Sequence, residues 1–293
     1  MIAAYSLLAL SMAIVGAYVG FSKLLVAVFP VFLLAWLRFG IAMGAMAHWL
    51  KREPHYPPLD RAAKRLLFLE SFLGNFLFSI CMLYGMRYAD ALTAGVVMAA
   101  IPAAVALLSW IFLRERVTAR IGFAILLAVG GVVLLAISRA ESGSAPQRLL
   151  GIALLLGAVF CEAAYVVIGK QLTGKVSARR ISALINLWGF ALVTPLGLWQ
   201  AMSFDFASVA LPMWGGLVLY AMAASMWTVW LWMSGLKKVP AARAGIFTIF
   251  LPLSAALVGV VFLGERFTTL HAVAFVLALL AVILATWPSR SHP

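Results

Sequence analysis

The sequence predicts an all-α membrane protein, with ten transmembrane helices forming two inverted five-helix repeats around a central cavity. Three observations carry this expectation. Of 293 residues, 65% are hydrophobic and 11% charged, with a mean hydropathy of +1.08. A soluble domain of this size cannot hide that much apolar surface, whereas a bilayer accepts it. Apolar runs of about 17–25 residues, long enough to cross the hydrocarbon core, recur almost without pause. Finally, residues 85–116 recur as 235–266 at a constant offset of 150, without a gap. Gly85 falls on Gly235, Gly95 on Gly245, Ile101-Pro102 on Leu251-Pro252, and Glu115-Arg116 on Glu265-Arg266. Secondary transporters are built from such duplicated membrane segments, because two similar halves can rock about a site between them.

The predicted spans are 3–22, 30–50, 66–86, 91–113, 119–138, 149–169, 181–200, 211–235, 241–263 and 269–287. The first has no basic leader or small-residue cleavage site and reads as a retained span. Tyr18 and Lys23 near its end repeat as Tyr165 and Lys170, at an offset of 147. In an inverted pair these residues lie toward opposite faces, where they are either gates or ordinary interfacial anchors. The second span carries Arg38 about eight residues in, too deep for an end anchor. Such a guanidinium either holds a substrate carboxylate through paired N–H donors or makes a structural ion pair.

Span three places Ser71, Asn75 and Ser79 on one face, as cavity lining or as bonds between helices. Its Glu70, close to Lys64 and Arg65, is expected to pair with those bases at the interface. Pro102 and Pro252 sit at the centres of spans four and nine. Each removes a backbone donor and frees the carbonyl four residues earlier, which makes a static kink or a hinge. In span six, Glu162 can bind a substrate amine, carry a coupling proton, or sit in a permanent salt bridge to Arg38. Asn186 is a comparable buried amide in span seven. In span eight, Tyr220 and Trp227 are two turns apart and are expected to share a face that paves a ligand pocket, or to face lipid. Spans five and ten carry small residues (Gly122, Gly130, Gly131; Ala274, Ala278, Ala281, Ala285) suited to close helix contact, including a homodimer interface.

Five spans per half make the second half enter the membrane upside down, and the charges agree. With the N-terminus inside, 16 Lys and Arg residues fall in inner loops and the C-terminus, five fall outside, and Arg38 lies within a span. This bias places both termini in the cytoplasm of a cell inner (plasma) membrane, with repeats at 1–140 and 141–293. The net charge of +13 therefore sets topology and does not point to nucleic acid. Cys81 and Cys161 lie in apolar spans without partner spacing. No phosphate-binding loop, metal-ligand spacing or nucleophile motif occurs, so no cofactor is expected and an enzyme or scaffold is a distant alternative.

The repeat also resembles the drug/metabolite transporter superfamily, in its ten-helix branch of two EamA domains. The resemblance rests on Leu83-Tyr84-Gly85, Ala89-Asp90-Ala91, Ala94-Gly95, Pro102 and Leu113-Arg114-Glu115-Arg116. The second copy has Gly235, Ala241, Ala244-Gly245, Pro252 and Gly264-Glu265-Arg266, and Arg38-Phe39 is similar to a pair common in span two. The resemblance implies a basket in which spans 1–4 and 6–9 surround the cavity and spans 5 and 10 stand outside. It also implies transport of a small metabolite, often as export. Arg38 has no basic counterpart in the second copy, and Glu162 corresponds to Val15. One arginine and one glutamate suit a zwitterion, so the expected cargo is of amino-acid type, with a vitamin or metallophore as the alternative. Arg38, Asn75, Glu162, Asn186, Tyr220 and Trp227 are the expected substrate contacts. Tyr18, Tyr165, Pro102 and Pro252 are the expected gates or hinges. Lipid and a small metabolite are the expected partners, with coupling to a proton as an option.

Overall fold

The computed structural model describes residues 2–51, 56–113, 119–140, 145–172, 175–236 and 245–286. Among these residues the chain is helical throughout. In order the helices are α1 (Ile2–Val28), α2 (Val31–Met46), α3 (Arg61–Ser71), α4 (Phe78–Tyr88), α5 (Ala91–Met98), α6 (Ile101–Leu113) and α7 (Ala119–Ala140). The second half has α8 (Ala145–Leu172), α9 (Ala178–Met202), α10 (Leu211–Met222), α11 (Thr228–Leu236), α12 (Phe250–Val261) and α13 (Thr269–Thr286). Eight helical stretches are long and apolar enough to cross a membrane. Two shorter apolar helices, Ala119–Leu135 and Phe247–Val261, stand at the fifth and ninth expected spans.

Helix starts follow local chemistry. Asp60 accepts from the Ala63 amide at 2.6 Å to begin α3, and Ser177 accepts from the Arg180 amide to begin α9. The N-terminus of α2 follows Pro30, and the Gln200 side chain reaches across from α9 to accept from the Leu33 amide at 2.9 Å. Without such a partner that donor would be orphaned away from water.

Five spans are not continuous α-helices; span two ends in a 3₁₀ turn, Ala47–Leu50. Span three joins α3 to α4 through a π turn, Phe72–Leu77, and span eight joins α10 to α11 through another, Ala223–Trp227. The two π turns stand at the offset of about 150 residues that relates the halves in sequence. In span four, Ala99 and Ala100 separate α5 from α6 just before Pro102. In span nine a 3₁₀ turn, Gly245–Ile249, precedes α12, whose third residue is Pro252. The prolines thus break their spans rather than bend them, since neither can donate to the carbonyl one turn back.

One contact occurs twice with the halves exchanged. A Cβ on Gly85 would come within 2.8 Å of Leu155 Cγ, and a Cβ on Gly235 within 2.7 Å of Leu8 Cγ. Gly85 and Gly235 are repeat partners, and so are Leu8 and Leu155. Each half therefore lays its third-span glycine on the other half's first span.

The main core draws on α1, α2, α4, α5, α6, α7, α8, α9, α10 and α12. Helices α7 and α13 pack beside it on each other, through Leu135, Ala274, Ala278 and Val282, with Leu92 and Val96 of α5 beneath. Gly131 lets the pair close, since a Cβ there would lie 3.2 Å from the Ala274 carbonyl oxygen. Much of the small-residue surface of spans five and ten is thus used inside the chain. Gly122 and Gly130 remain open, with nothing within 4 Å of a Cβ. Phe123, Leu126, Val129, Val273, Val276 and Leu280 are exposed on the outside of this pair, as lipid contact requires.

Candidate functional site

Arg38 is 3% exposed in the interior of the bundle. Its Nη2 donates to Ser79 Oγ at 2.7 Å and to Asn75 Oδ1 at 3.4 Å. Ser79 Oγ in turn donates to the Asn75 carbonyl, which fixes the acceptor. The guanidinium carbon lies 4.3 Å from the Phe39 ring centroid and 5.9 Å from that of Tyr220. A guanidinium has five N–H donors; Nη2 aims the group, and the Nε donor is left without a partner among the described residues. The alternative of an Arg38–Glu162 salt bridge is not realised: the only ion pair between described residues joins Lys23 and Glu265.

The span-three stripe is divided between two tasks. Ser71 Oγ and Asn75 Nδ2 both donate to the Ile185 carbonyl, at 2.8 and 3.0 Å, and tie α3 and its π turn to α9. The opposite end of the same asparagine, with Ser79, holds Arg38. Asn186 is 2% exposed and donates to the Ser182 carbonyl at 2.8 Å, while its Oδ1 finds no partner. Ser182 Oγ donates to the Ser225 carbonyl, inside the π turn of span eight.

Tyr220 is 1% exposed beside the Arg38 guanidinium, and its ring meets Tyr18 edge-on at 5.9 Å. Trp227 parts company from it at 37% exposure. Two plain α-turns would put the two rings on one face. The intervening π turn inserts an extra residue and rotates the rest of the span by about 100°. The shared aromatic face expected from the sequence is therefore absent.

Tyr18 and Tyr165 lie within the bundle rather than at its ends. Tyr18 meets the Tyr220 ring and lies within electrostatic reach of Glu162 and Arg38. Tyr165 lies on Gly74, where a Cβ would run into its ring, and it senses both Glu70 and Glu162. Glu162 itself is partly exposed and makes no hydrogen bond or ion pair with a described residue.

Glu70 departs from expectation. It is 1% exposed, pairs with neither Lys64 nor Arg65, and its Oε2 has no partner among the described residues. Its other oxygen lies 2.9 Å from where a Cβ of Gly169 would stand, so the carboxylate is turned inward onto α8. The amphipathic periodicity of α3 continues only as far as Ser71, which puts Glu70 with the buried residues Ala63 and Leu67. Spacing at i, i+4 and i+7 from Ala63 would have shown this; proximity in sequence to two bases concealed it.

A second cluster joins helix ends. Gly264, at φ 66°, reverses the chain after α12, a conformation that costs glycine nothing. The Glu265 amide then donates to the Gly259 carbonyl at 2.9 Å. The Glu265 carboxylate accepts from the Ala91 and Leu92 amides at 2.8 and 2.9 Å, capping α5, while Asp90 accepts from Thr93. Lys23 Nζ donates to the Ala89 carbonyl at 2.9 Å and lies 3.5 Å from Glu265. A cavity of about 500 Å³ opens beside this cluster, lined by Lys23, Arg87 and Glu265 among apolar residues. The sequence repeat marked Glu265 but gave no hint of this partner. Its repeat mate Glu115, with Arg116, Ala241, Ala244 and the Lys170 side chain, lies outside the described residues.

Cys81 and Cys161 are free thiols on α4 and α8, two helices that pack on each other. Among the described residues no three His, Cys, Asp or Glu side chains gather as a metal site.

The sequence profile of the EamA-like transporter family matches twice, over residues 2–137 and 149–287. The chain belongs to that family. The EamA-like chain is 38% identical to an uncharacterized transporter, YetK, of Bacillus subtilis (strain 168), over 92% of its own length and 82% of the relative's. It is 27% identical to an uncharacterized transporter of Archaeoglobus fulgidus over 69% and 70% of the two chains. A solved crystal structure at 18% identity superposes with a TM-score of 0.66 and covers 96% of both chains, which shows the fold. This EamA-like protein is thus a multi-pass membrane transporter, and its site must be argued from its own residues.

Proposed function

We propose that the protein is a secondary carrier that exports a small zwitterionic metabolite of amino-acid type by alternating access between two inverted halves. One observation carries the reading. Arg38 is buried, aimed by Ser79 and Asn75, flanked by the Tyr220 ring, and its Nε donor has no partner among the described residues. A buried cation without a counter-charge is expensive, and an arriving carboxylate relieves that cost through a paired hydrogen bond. Across the bundle Glu162, beyond Tyr18, receives the ammonium group. Asn75 and Asn186 orient the ligand, and Tyr220 forms an apolar wall. Trp227, at the lipid-facing end of its π turn, serves as an outer support of that wall. Tyr18 and Tyr165 close the path on either side of the cargo, and the helix breaks at Pro102 and Pro252 act as the hinges of the two halves.

The topology proposed from the charge bias puts both termini in the cytoplasm of a bacterial inner membrane. The α1 end that carries Lys23 then faces out, and the Lys23–Glu265–α5 cluster holds that face shut while cargo enters from the cytoplasm. Proteoliposome counterflow with a panel of amino acids tests this. Uptake of at least one amino acid is expected, with Arg38→Gln raising its half-saturation concentration at least tenfold. Absence of flux for every metabolite would remove the carrier reading, and undiminished affinity in Arg38→Gln would remove the site.

A further inference from the structure

Three helix ends leave an open cavity with an excess of positive charge at one membrane face. It is the space of about 500 Å³ beside the Glu265 cluster, bounded by Lys23 and Leu24 of α1, Arg87 of α4, and Phe262 and Glu265 after α12. Little chain stands over it. Only Phe29 and Pro30 join α1 to α2, and only Ala89 and Asp90 join α4 to α5. Lys23 lies five residues before the end of the unbroken helix α1, about 7.5 Å below that end. Arg87 is the last residue but one of α4. The cavity therefore runs from the membrane surface down to the level where headgroups give way to acyl chains.

Its charges are unbalanced. Glu265 accepts from the Ala91 and Leu92 amides with its two carboxylate oxygens, and its contact with Lys23 is long, at 3.5 Å. Lys23 makes one short bond, to the Ala89 carbonyl, and an ammonium has three donors. Arg87 is exposed and forms no ion pair with a described residue. Two cations against one carboxylate leave a place for one more negative charge, the charge of a phosphodiester. The rim is apolar: Phe262 is 74% exposed and Val261 beside it 62% exposed. A small soluble anion would answer the charge and leave this wall bare. A phospholipid answers both, with its phosphate on the two cations and an acyl chain along Phe262.

We propose that this cavity binds the headgroup of an anionic phospholipid of the phosphatidylglycerol type, with the phosphate between Lys23 and Arg87. Bound there, the lipid joins α1 to α4 at the face where Glu265 already joins the turn after α12 to α5. It acts as a clasp on these four helix ends, whatever cargo the carrier moves.

The test is native mass spectrometry of the full-length protein in detergent, titrated with phosphatidylglycerol and with phosphatidylcholine of the same acyl chains. Wild type is expected to hold one phosphatidylglycerol about tenfold more tightly than phosphatidylcholine, as for one added charge-assisted pair. Arg87→Gln is expected to cut that preference about fivefold, and Lys23→Gln with Arg87→Gln to abolish it. Lys64→Gln, at the other end of the span that carries Arg87, is expected to leave it unchanged. Glycerol 3-phosphate and inorganic phosphate at millimolar concentration are expected not to displace the lipid. Displacement by either would assign the cavity to a soluble phosphate and overturn the lipid. Equal retention of the two lipids by wild type, or the same loss in Lys64→Gln as in Arg87→Gln, would overturn the inference. So would an undiminished preference in Arg87→Gln, which sits at an exposed position and decides the matter if the double variant does not assemble. The carrier reading stands or falls separately, on flux.

Discussion

Replacing Glu265 tests whether one carboxylate ties the turn after α12 to the start of α5. Its two oxygens accept from Ala91 and Leu92, residues that are 0% and 1% exposed. Truncation by Glu265→Ala removes the acceptor of both amides, at about 1–3 kcal/mol each, less whatever water entering from the adjoining cavity restores. The negative charge at the helix N-terminus is lost as well, worth up to about 2 kcal/mol when partly buried. Asp90 still caps Thr93, which limits the damage. We expect a loss of about 3–5 kcal/mol for Glu265→Ala. Glu265→Gln retains one acceptor and should lose about 1–3 kcal/mol. Lys23 contributes little: its side chain is 35% exposed and it keeps its bond to Ala89, so Lys23→Met should cost no more than about 1 kcal/mol. Unfolding free energies from titration with SDS in mixed micelles give all three values. The reasoning fails if Glu265→Ala lies within about 0.5 kcal/mol of wild type, or if Lys23→Met costs as much as Glu265→Ala.

The geometry sets three further outcomes. Ser79→Ala removes the 2.7 Å bond that aims Arg38 and should weaken cargo binding about five- to tenfold in a direct binding assay, with little loss of stability. Gly74→Ala forces a Cβ into the Tyr165 ring and should destabilise by about 1–3 kcal/mol and impair flux, whereas Gly44→Ala, with nothing within 4 Å, should do neither. Mild oxidation in the membrane should join Cys81 to Cys161, seen as protection of both thiols from a maleimide after denaturation. Full labelling of both would contradict the packing of α4 on α8.

The sequence carried the spans because apolar runs and Gly, Pro and charge punctuation are local signals. It carried the duplication because the repeat needs no gap, and the Gly85–Leu155 and Gly235–Leu8 contacts are its physical counterpart. Arg38 was legible because a charge eight residues into a span demands partners. The two π turns were not, since an extra residue in a turn leaves no trace in composition. Missing them put Trp227 on the face of Tyr220. Glu70 was misassigned for a related reason: Lys64 and Arg65 are near in sequence, yet they lie on the exposed side of α3. The partner of Glu265 lies 173 residues away, beyond any local pattern.

The pairing of Arg38 with a cargo carboxylate is tested most directly by equilibrium binding to the purified carrier. A transported amino acid would be compared with its methyl ester, on wild type and on Arg38→Gln. If the guanidinium receives the carboxylate, wild type favours the acid by about 30-fold, or about 2 kcal/mol, and Arg38→Gln does not distinguish the two. Equal discrimination by both proteins would place the carboxylate elsewhere and contradict the site.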